Sequence, residues 1–230
     1  MRIEPDISTV SVVLLGSFNP AIFTPAWFGL EGLLPRATVE SAELGVAHPN
    51  VTQFDAEWLK LGVRPDRFVA ETSQAPTIRV SDLVVRTFRE KLPHTPIKAL
   101  GINREVHFRV QSAAERDRIG RRLAPTAPWG KWGSSLEPDG DHGGMTSLTM
   151  RQLRVDGRPP EDQVNVTVEP STRLQYWGVY VRVNDHYTAD ENGQGGSTVL
   201  IERLERDFEE SMRGSETLID QVMSLAEAEC

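Results

Sequence analysis

Residues 97–110, IKALGINREVHFRV, have the pattern of a strand with one buried face. From Asn103 onward polar and apolar residues alternate, and Val106, Phe108 and Val110 fall on the same side. A period of two is typical of a half-buried strand. The other side is charged or polar, as expected for an antiparallel sheet that packs on its core with one face. We therefore expect a sheet with a single covered face.

Helices are predicted on both sides of this strand in the sequence. Residues 77–93 repeat apolar side chains at three- and four-residue steps, and a proline ends the pattern. After the strand, Ser112 and Glu115 form a capping-box pattern that begins a short helix. A third helix is predicted to begin after the N-cap residue Thr24, with Pro25 in its first position, and to end before Pro35.

The remaining strand-like segments are rich in β-branched residues and are separated by short turns. They lie at residues 7–16, 51–63, 66–72, 145–155, 162–170 and 175–185. The second and third of these are interpreted as a hairpin that turns at Arg64-Pro65-Asp66. Successive strands joined by short turns imply mostly antiparallel pairing with helices on one face, so the predicted fold class is α+β.

The chain ends in a predicted long helix that begins at Ser197 or Thr198. Gly214, with its low helix propensity, predicts an irregularity inside it. Its apolar residues recur at helical spacing; they are Leu200, Leu204, Phe208, Met212, Ile219, Val222 and Met223. At about 1.5 Å per residue, its roughly 30 residues span about 45 Å, which is more than a domain of this size readily covers. The stripe either packs on the chain's own sheet or extends past the domain, and we assign part of it to an interface with a second copy or another protein. The four interface residues are Leu204, Phe208, Met212 and Ile219.

The predicted organisation has two parts. Residues 1–196 form the α+β domain, and residues 197–230 form the long acidic amphipathic helix. An alternative division of the first part gives two half-sheets, residues 1–124 and 144–187, joined by a Trp- and Gly-rich loop.

Composition limits the classes of function. The chain has 230 residues and a net charge of −8, and an acidic chain disfavours general nucleic-acid binding. No segment approaches the roughly 20 apolar residues of a membrane helix, and the N-terminus lacks the basic lead and long apolar core of a signal peptide. We therefore expect a cytoplasmic protein without membrane contact. Cys230 is the single cysteine, so no intramolecular disulfide can form.

Positive charge is concentrated in residues 86–122, which hold ten Lys or Arg against four Asp or Glu. The strand and helix at residues 104–122 would contact phosphates of single-stranded nucleic acid, while two nearby tryptophans would stack on bases. The candidate binding residues are Arg104, Arg109, Arg118, Arg121, Arg122, Trp129 and Trp132. In the alternative interpretation this basic region pairs with the acidic face of the C-terminal helix, within one chain or between two.

Motifs for metal binding and catalysis are weakly represented. In PDGDHGG, residues 138–144, the candidate metal ligands are Asp139, Asp141 and His142, but acids and glycines are also typical of a solvated loop. The sequence contains no HExxH, CxxC or nucleophile-elbow motif. Residues 193–198 lack the P-loop pattern and are interpreted as a hinge before the last helix. We therefore predict no metal, no cofactor and no catalytic residue.

Three segments carry a resemblance to a known family. They are LGVRPDRFVAET (residues 61–72), IKALGINREVHFRV (residues 97–110) and LIERLERDFEESM (residues 200–212). They resemble a sporadically distributed family of uncharacterised bacterial proteins of similar size. That family has no established activity, so the resemblance implies no catalytic residues. The sequence as a whole favours a non-enzymatic protein-binding or assembly subunit of the bacterial cytosol, and the alternative is a nucleic-acid- or nucleotide-binding protein.

Overall fold

The structure, a computed structural model, describes residues 4–136, 143–153, 156–174, 176–189 and 196–227. These residues form one nine-stranded sheet. In chain order its strands are β1 (Ile7–Gly16), β2 (Glu43–His48), β3 (Val51–Ala56), β4 (Leu59–Arg64), β5 (Arg67–Thr72), β6 (Ile97–Arg109), β7 (Leu148–Leu153), β8 (Gln163–Pro170) and β9 (Gly178–Thr188). They lie in the order β2-β3-β4-β5-β1-β6-β9-β8-β7, and every neighbouring pair is antiparallel.

Six α-helices accompany the sheet in the described ranges. They are α1 (Pro25–Leu30), α2 (Arg36–Glu40), α3 (Ile78–Arg86), α4 (Ala113–Leu123), α5 (Gly130–Ser134) and α6 (Gly196–Ser224). A π-helical turn, Thr87–Lys91, extends α3. The predicted α+β class, with an antiparallel sheet and a long C-terminal helix, is confirmed. None of the helices in the described ranges has an apolar run of the length that crossing a membrane requires.

The core lies on one face of the sheet. Along β6, Leu100 and Ile102 belong to one buried cluster with side chains of α1, α3 and α6, and Val106 and Phe108 belong to a second cluster with side chains of α4 and α6. These four residues are separated by even numbers of positions, so they share a face of the strand. The opposite face of the sheet is polar, which agrees with the predicted alternation.

The order of elements repeats once. A strand, short helices, a meander of antiparallel strands and a longer helix occur first as β1, α1–α2, β2–β5 and α3, and then as β6, α4–α5, β7–β9 and α6. The opening strands of the two halves, β1 and β6, pair with each other at the centre of the sheet. This repeat is one of topology and does not appear as a repeated pattern of residues. The second half has a meander of three described strands where the first has four.

Helix α6 belongs to the core of both halves. Leu204 and Phe208 lie in the first cluster, whereas Ile219 and Met223 lie in the second. Between the two clusters, buried Arg104 of β6 donates a hydrogen bond from Nε to Glu216 Oε1 of α6 at 2.7 Å. The helix that we separated from the α+β domain in sequence therefore packs along its own sheet.

Several local predictions need correction. Residues 51–63 form two strands, β3 and β4, because the chain turns at Glu57, which has a φ of 42°. Strand β2 was not predicted, since all six of its residues are exposed and no apolar alternation marks it. Thr24 does cap α1 by accepting a hydrogen bond from the Trp27 N–H at 3.2 Å, but the helix ends at Leu30, well before the predicted end.

Candidate functional site

A cavity of about 510 Å³ lies between the α4–α5 region and the end of β8. Its lining includes Ile119 of α4, Val168 of β8 and Val179 of β9, all of which are buried members of the second core cluster. Met145, which precedes β7, also lines it and packs against the same cluster. The cavity therefore has an apolar floor of the kind found in small-molecule and side-chain binding sites.

Trp129 and Trp132 stand at this cavity with their side chains largely in solvent. Their residues are 64% and 61% exposed, and the two rings contact each other edge to face with centroids 5.5 Å apart. Trp129 ends a 3-10 turn and Trp132 belongs to α5. Gly133 allows α5 to form here, because a Cβ atom at this position would lie 2.1 Å from the Thr126 carbonyl oxygen. The two tryptophans that the sequence grouped as candidates therefore lie together at this cavity.

Helix α4 supplies the charged part of the cavity wall. Ser112 caps it as predicted, with the Glu115 N–H donating to Ser112 Oγ at 3.2 Å. The return bond of the capping box is shifted by one residue, because Glu115 Oε2 accepts from the N–H of Gln111 at 2.7 Å and not from that of Ser112. Farther along the helix, Asp117 and Arg121 line the cavity. Asp117 Oδ2 is buried and accepts no hydrogen bond within the described part of the chain, while Arg121 is exposed.

Most of the other predicted binding arginines are engaged elsewhere. Arg104 lies beneath α6 and is hydrogen-bonded to Glu216. Arg109 Nε lies 3.9 Å from Asp6 Oδ1. Arg118 donates to the carbonyl oxygen of Ala226, and Arg122 donates to those of Leu225 and Glu227 at 3.2 and 3.1 Å. The last two arginines therefore bind the carboxyl end of α6, where the helix dipole favours positive charge. Of the seven predicted residues, the cavity brings together Arg121, Trp129 and Trp132.

The four residues assigned to a partner interface pack inside the protein's own fold. Leu204, Phe208 and Ile219 are buried, and Met212 packs against the first core cluster. Their helical periodicity is therefore accounted for by packing on the sheet. The other prediction about α6, that its acids meet the basic region, holds for the pairs Arg104–Glu216 and Arg89–Glu205.

The candidate metal ligands Asp139, Asp141 and His142 lie outside the described residues. Within the described ranges, no group of three or more His, Cys, Asp or Glu side chains is arranged to hold a metal ion.

A buried charged cluster, which the sequence did not predict, surrounds Tyr187. The guanidinium carbons of Arg203 and Arg158 lie 4.5 and 4.9 Å from the Tyr187 ring centroid. Arg203 pairs with Asp162, and Arg158 pairs with Asp185. Asp185 Oδ2 also accepts a hydrogen bond from the Tyr187 hydroxyl at 2.9 Å. Burial raises the pKa of Tyr187, and the charge of Asp185 adds to this effect. No local motif announces this cluster because its members come from distant segments.

The open face of the sheet carries a row of hydrogen-bonded polar side chains. Arg151 Nε donates to Asn165 Oδ1 at 2.9 Å, Asn165 Nδ2 to Asn184 Oδ1 at 3.4 Å, and Asn184 Nδ2 to Asn103 Oδ1 at 2.8 Å. Each residue stands directly across from the next on four neighbouring strands. The row therefore satisfies polar groups that would otherwise need water.

On the same face, Ser171 contacts His107. Ser171 Oγ lies 2.8 Å from His107 Nδ1 and accepts hydrogen bonds from the N–H groups of Arg173 and Leu174 at 3.2 and 3.0 Å. With both lone pairs of Oγ used, we infer that the Ser171 proton is donated to Nδ1, which places the ring proton on Nε2. Burial lowers the pKa of His107, and the charge of Arg173 lowers it further.

No protein-family model matches this sequence, and a search of curated proteins finds no match to it either.

Proposed function

We propose that this chain is a non-enzymatic binding subunit of the bacterial cytosol that docks a segment of another protein in the cavity beside Trp129 and Trp132. The observation that carries the proposal is the placement of two solvent-exposed tryptophans next to an apolar cavity. Tryptophans are enriched among the residues that dominate protein–protein binding energy, and they act most strongly beside pockets that exclude water. The resemblance noted in the sequence supports the cellular setting.

The chemistry of the cavity indicates what the docked segment offers. An aliphatic or aromatic side chain would cover the floor formed by Ile119, Val168 and Val179. Arg121 at the wall favours an acidic group beside that side chain, since guanidinium and carboxylate groups form two-pronged hydrogen bonds. Asp117 Oδ2 would accept an N–H from the segment, because this buried oxygen has no hydrogen-bond partner among the residues that the structure describes.

Selection from a phage-displayed library of random linear peptides tests the proposal. We expect enriched peptides to combine an apolar anchor with a neighbouring Asp or Glu. Trp132→Ala and Trp129→Ala should each weaken binding of a selected, fluorescently labelled peptide by about tenfold or more. Leu30→Ala is the matched control, since Leu30 is 87% exposed on α1 and lines no part of the cavity. Peptides whose affinity is unaffected by both tryptophan variants would refute the site.

A second candidate function is binding of single-stranded nucleic acid or a nucleotide, and it rests on Arg121 standing at the same cavity as two exposed indole rings. Base stacking on aromatic side chains tolerates any sequence. The engagement of Arg104, Arg118 and Arg122 within the chain removes most of the charge that a polynucleotide would use. Fluorescence anisotropy with labelled oligothymidine distinguishes the two functions: binding that weakens steeply with salt and is lost in Trp132→Ala supports this second candidate.

A further inference from the structure

The two edges of the sheet differ in how they are protected. At β2 the pairing register with β3 shifts between Leu44 and Val46, and such a bulge is a common device for blocking further strand pairing. At β7 the register with β8 is regular throughout, from Leu148 opposite Val168 to Leu153 opposite Gln163. The outer side of β7 is therefore a flat edge with the geometry that a further strand needs.

Each face of β7 carries an exposed apolar side chain. Met150 is 63% exposed on the helix-bearing face, and Leu153 is 61% exposed on the open face. Arg151 is the charged residue of the strand, and its guanidinium is bonded inward to Asn165. A regular edge strand with exposed apolar residues is a template for pairing with another chain.

The internal repeat identifies a position beside β7 where the described residues place no strand. Strand β7 occupies the place in the second half that β3 occupies in the first, because each is separated by two strands from the central strand of its own half. In the first half β2 pairs with the outer side of β3. In the second half, no strand of the described residues pairs with the outer side of β7.

We propose that this place is taken by β7 of a second copy of the chain, paired antiparallel about a two-fold axis at Met150. Two registers keep five residues of each strand paired and preserve the faces of the sheet. A register centred on Arg151 sets two guanidinium groups opposite each other, which is unfavourable. The register centred on Met150 pairs the two methionines and sets Arg151 opposite Thr149 of the partner strand. The result is a closed dimer with a continuous sheet.

Disulfide trapping tests the register. In a Cys230→Ser background, Met150→Cys should form a cross-linked dimer under mild oxidation, since directly opposed residues have Cα atoms about 4.5–5.5 Å apart. Leu153→Cys is the matched control because Leu153 is equally exposed but three residues from the axis. Its two copies would stand about 20 Å apart and should stay unlinked. Cross-linking of Leu153→Cys without that of Met150→Cys would overturn the proposal.

Light scattering on the uncross-linked protein tests the dimer itself. We expect the unmodified chain to have the mass of a dimer at high micromolar concentration and Met150→Lys to be a monomer, because the variant sets two ammonium groups against each other. Leu44→Lys, an equivalent change on the bulged β2 edge, should remain a dimer. The proposed dimer would be refuted if the unmodified chain were a monomer or if Met150→Lys were a dimer. Masses beyond the dimer would also refute it, because head-to-tail pairing of β2 with β7 would produce them. Trp132→Ala should leave the dimer intact, so this inference and the proposed function fail separately.

Discussion

At the residue scale, the cluster around Tyr187 shows how this chain keeps charge inside its core. Asp162 is fully buried, and its partner Arg203 is nearly so. Such a pair contributes little net stability over an apolar pair of the same shape, but a buried charge left alone is costly. Two guanidinium groups, each already paired with a carboxylate, lie over the Tyr187 ring. The cluster is therefore neutral, and it ties α6 to β9 and to the turn before β8.

Arg203→Met should lower the free energy of unfolding by about 3–5 kcal/mol, because it leaves the Asp162 carboxylate buried without a countercharge. The double variant with Asp162→Asn should recover part of this loss. The control is Arg206→Met on the next turn of α6, where the Arg206–Asp207 pair is exposed on its arginine side and should matter little. Urea denaturation measures all three. Equal effects of Arg203→Met and Arg206→Met would contradict the role given to burial.

His107 should make stability depend on pH. Its folded pKa lies below the ordinary value of 6.5, so the unfolded chain binds a proton more readily than the folded one. The contribution of His107 to the free energy of unfolding is therefore fully present above pH 6.5, and it is lost as the pH falls toward the pKa of His107 in the folded chain. Protonation of Nδ1 would also break the hydrogen bond donated by Ser171.

The measurement is the urea midpoint at about pH 7.5 and about pH 5.5, on either side of the ordinary histidine pKa. His107→Gln should lose less stability than the unmodified chain across this interval. A residual loss is expected, because burial also lowers the pKa of His186. His94→Gln, a change at an exposed loop histidine, is the control. An identical pH dependence in His107→Gln and the unmodified chain would count against this account.

At the element scale, α6 runs without interruption through Gly214, where the sequence suggested an irregularity. Gly214 is exposed, and a Cβ atom there would meet no other atom within 4 Å. Gly214→Ala should therefore raise the free energy of unfolding by about 0.5–1 kcal/mol, the difference in helix propensity between the two residues. Thermal or urea denaturation measures this change. A loss of stability in Gly214→Ala would show that α6 is strained at residue 214.

Gly133→Ala should instead destabilise α5, because its Cβ atom would collide with the Thr126 carbonyl oxygen.

The same helix shows how far a sequence pattern can be interpreted. The spacing of Leu204, Phe208 and Ile219 correctly predicts a long amphipathic helix. It does not state which surface covers the stripe, since a partner and the chain's own sheet impose the same periodicity. The sheet was predicted where one face is buried, as in β6, and missed in β2, whose six exposed residues leave no alternation to detect.

At the scale of the whole molecule, the fold class followed from the sequence, whereas the candidate site was predicted in part. Trp129 and Trp132 were identified as candidates because they closely follow the basic helix in sequence and are of a residue type that stacks on bases. The arginines were grouped by their proximity in sequence, but β6 and α4 orient them differently, so Arg104 lies under α6 and Arg118 reaches its end. Charge counted along a chain does not specify the direction in which each side chain points.

The central β1–β6 pair and the reach of α6 across both core clusters should make the chain unfold as one unit. Phe208 lies in the first cluster and Ile219 in the second, on one continuous helix. We expect a single urea transition that coincides by circular dichroism and tryptophan fluorescence. Phe208→Ala and Ile219→Ala should each shift that whole transition, with losses of about 3–5 and 2–5 kcal/mol. Two transitions, with each variant moving only one of them, would show instead that the halves fold independently and that α6 joins two separate cores.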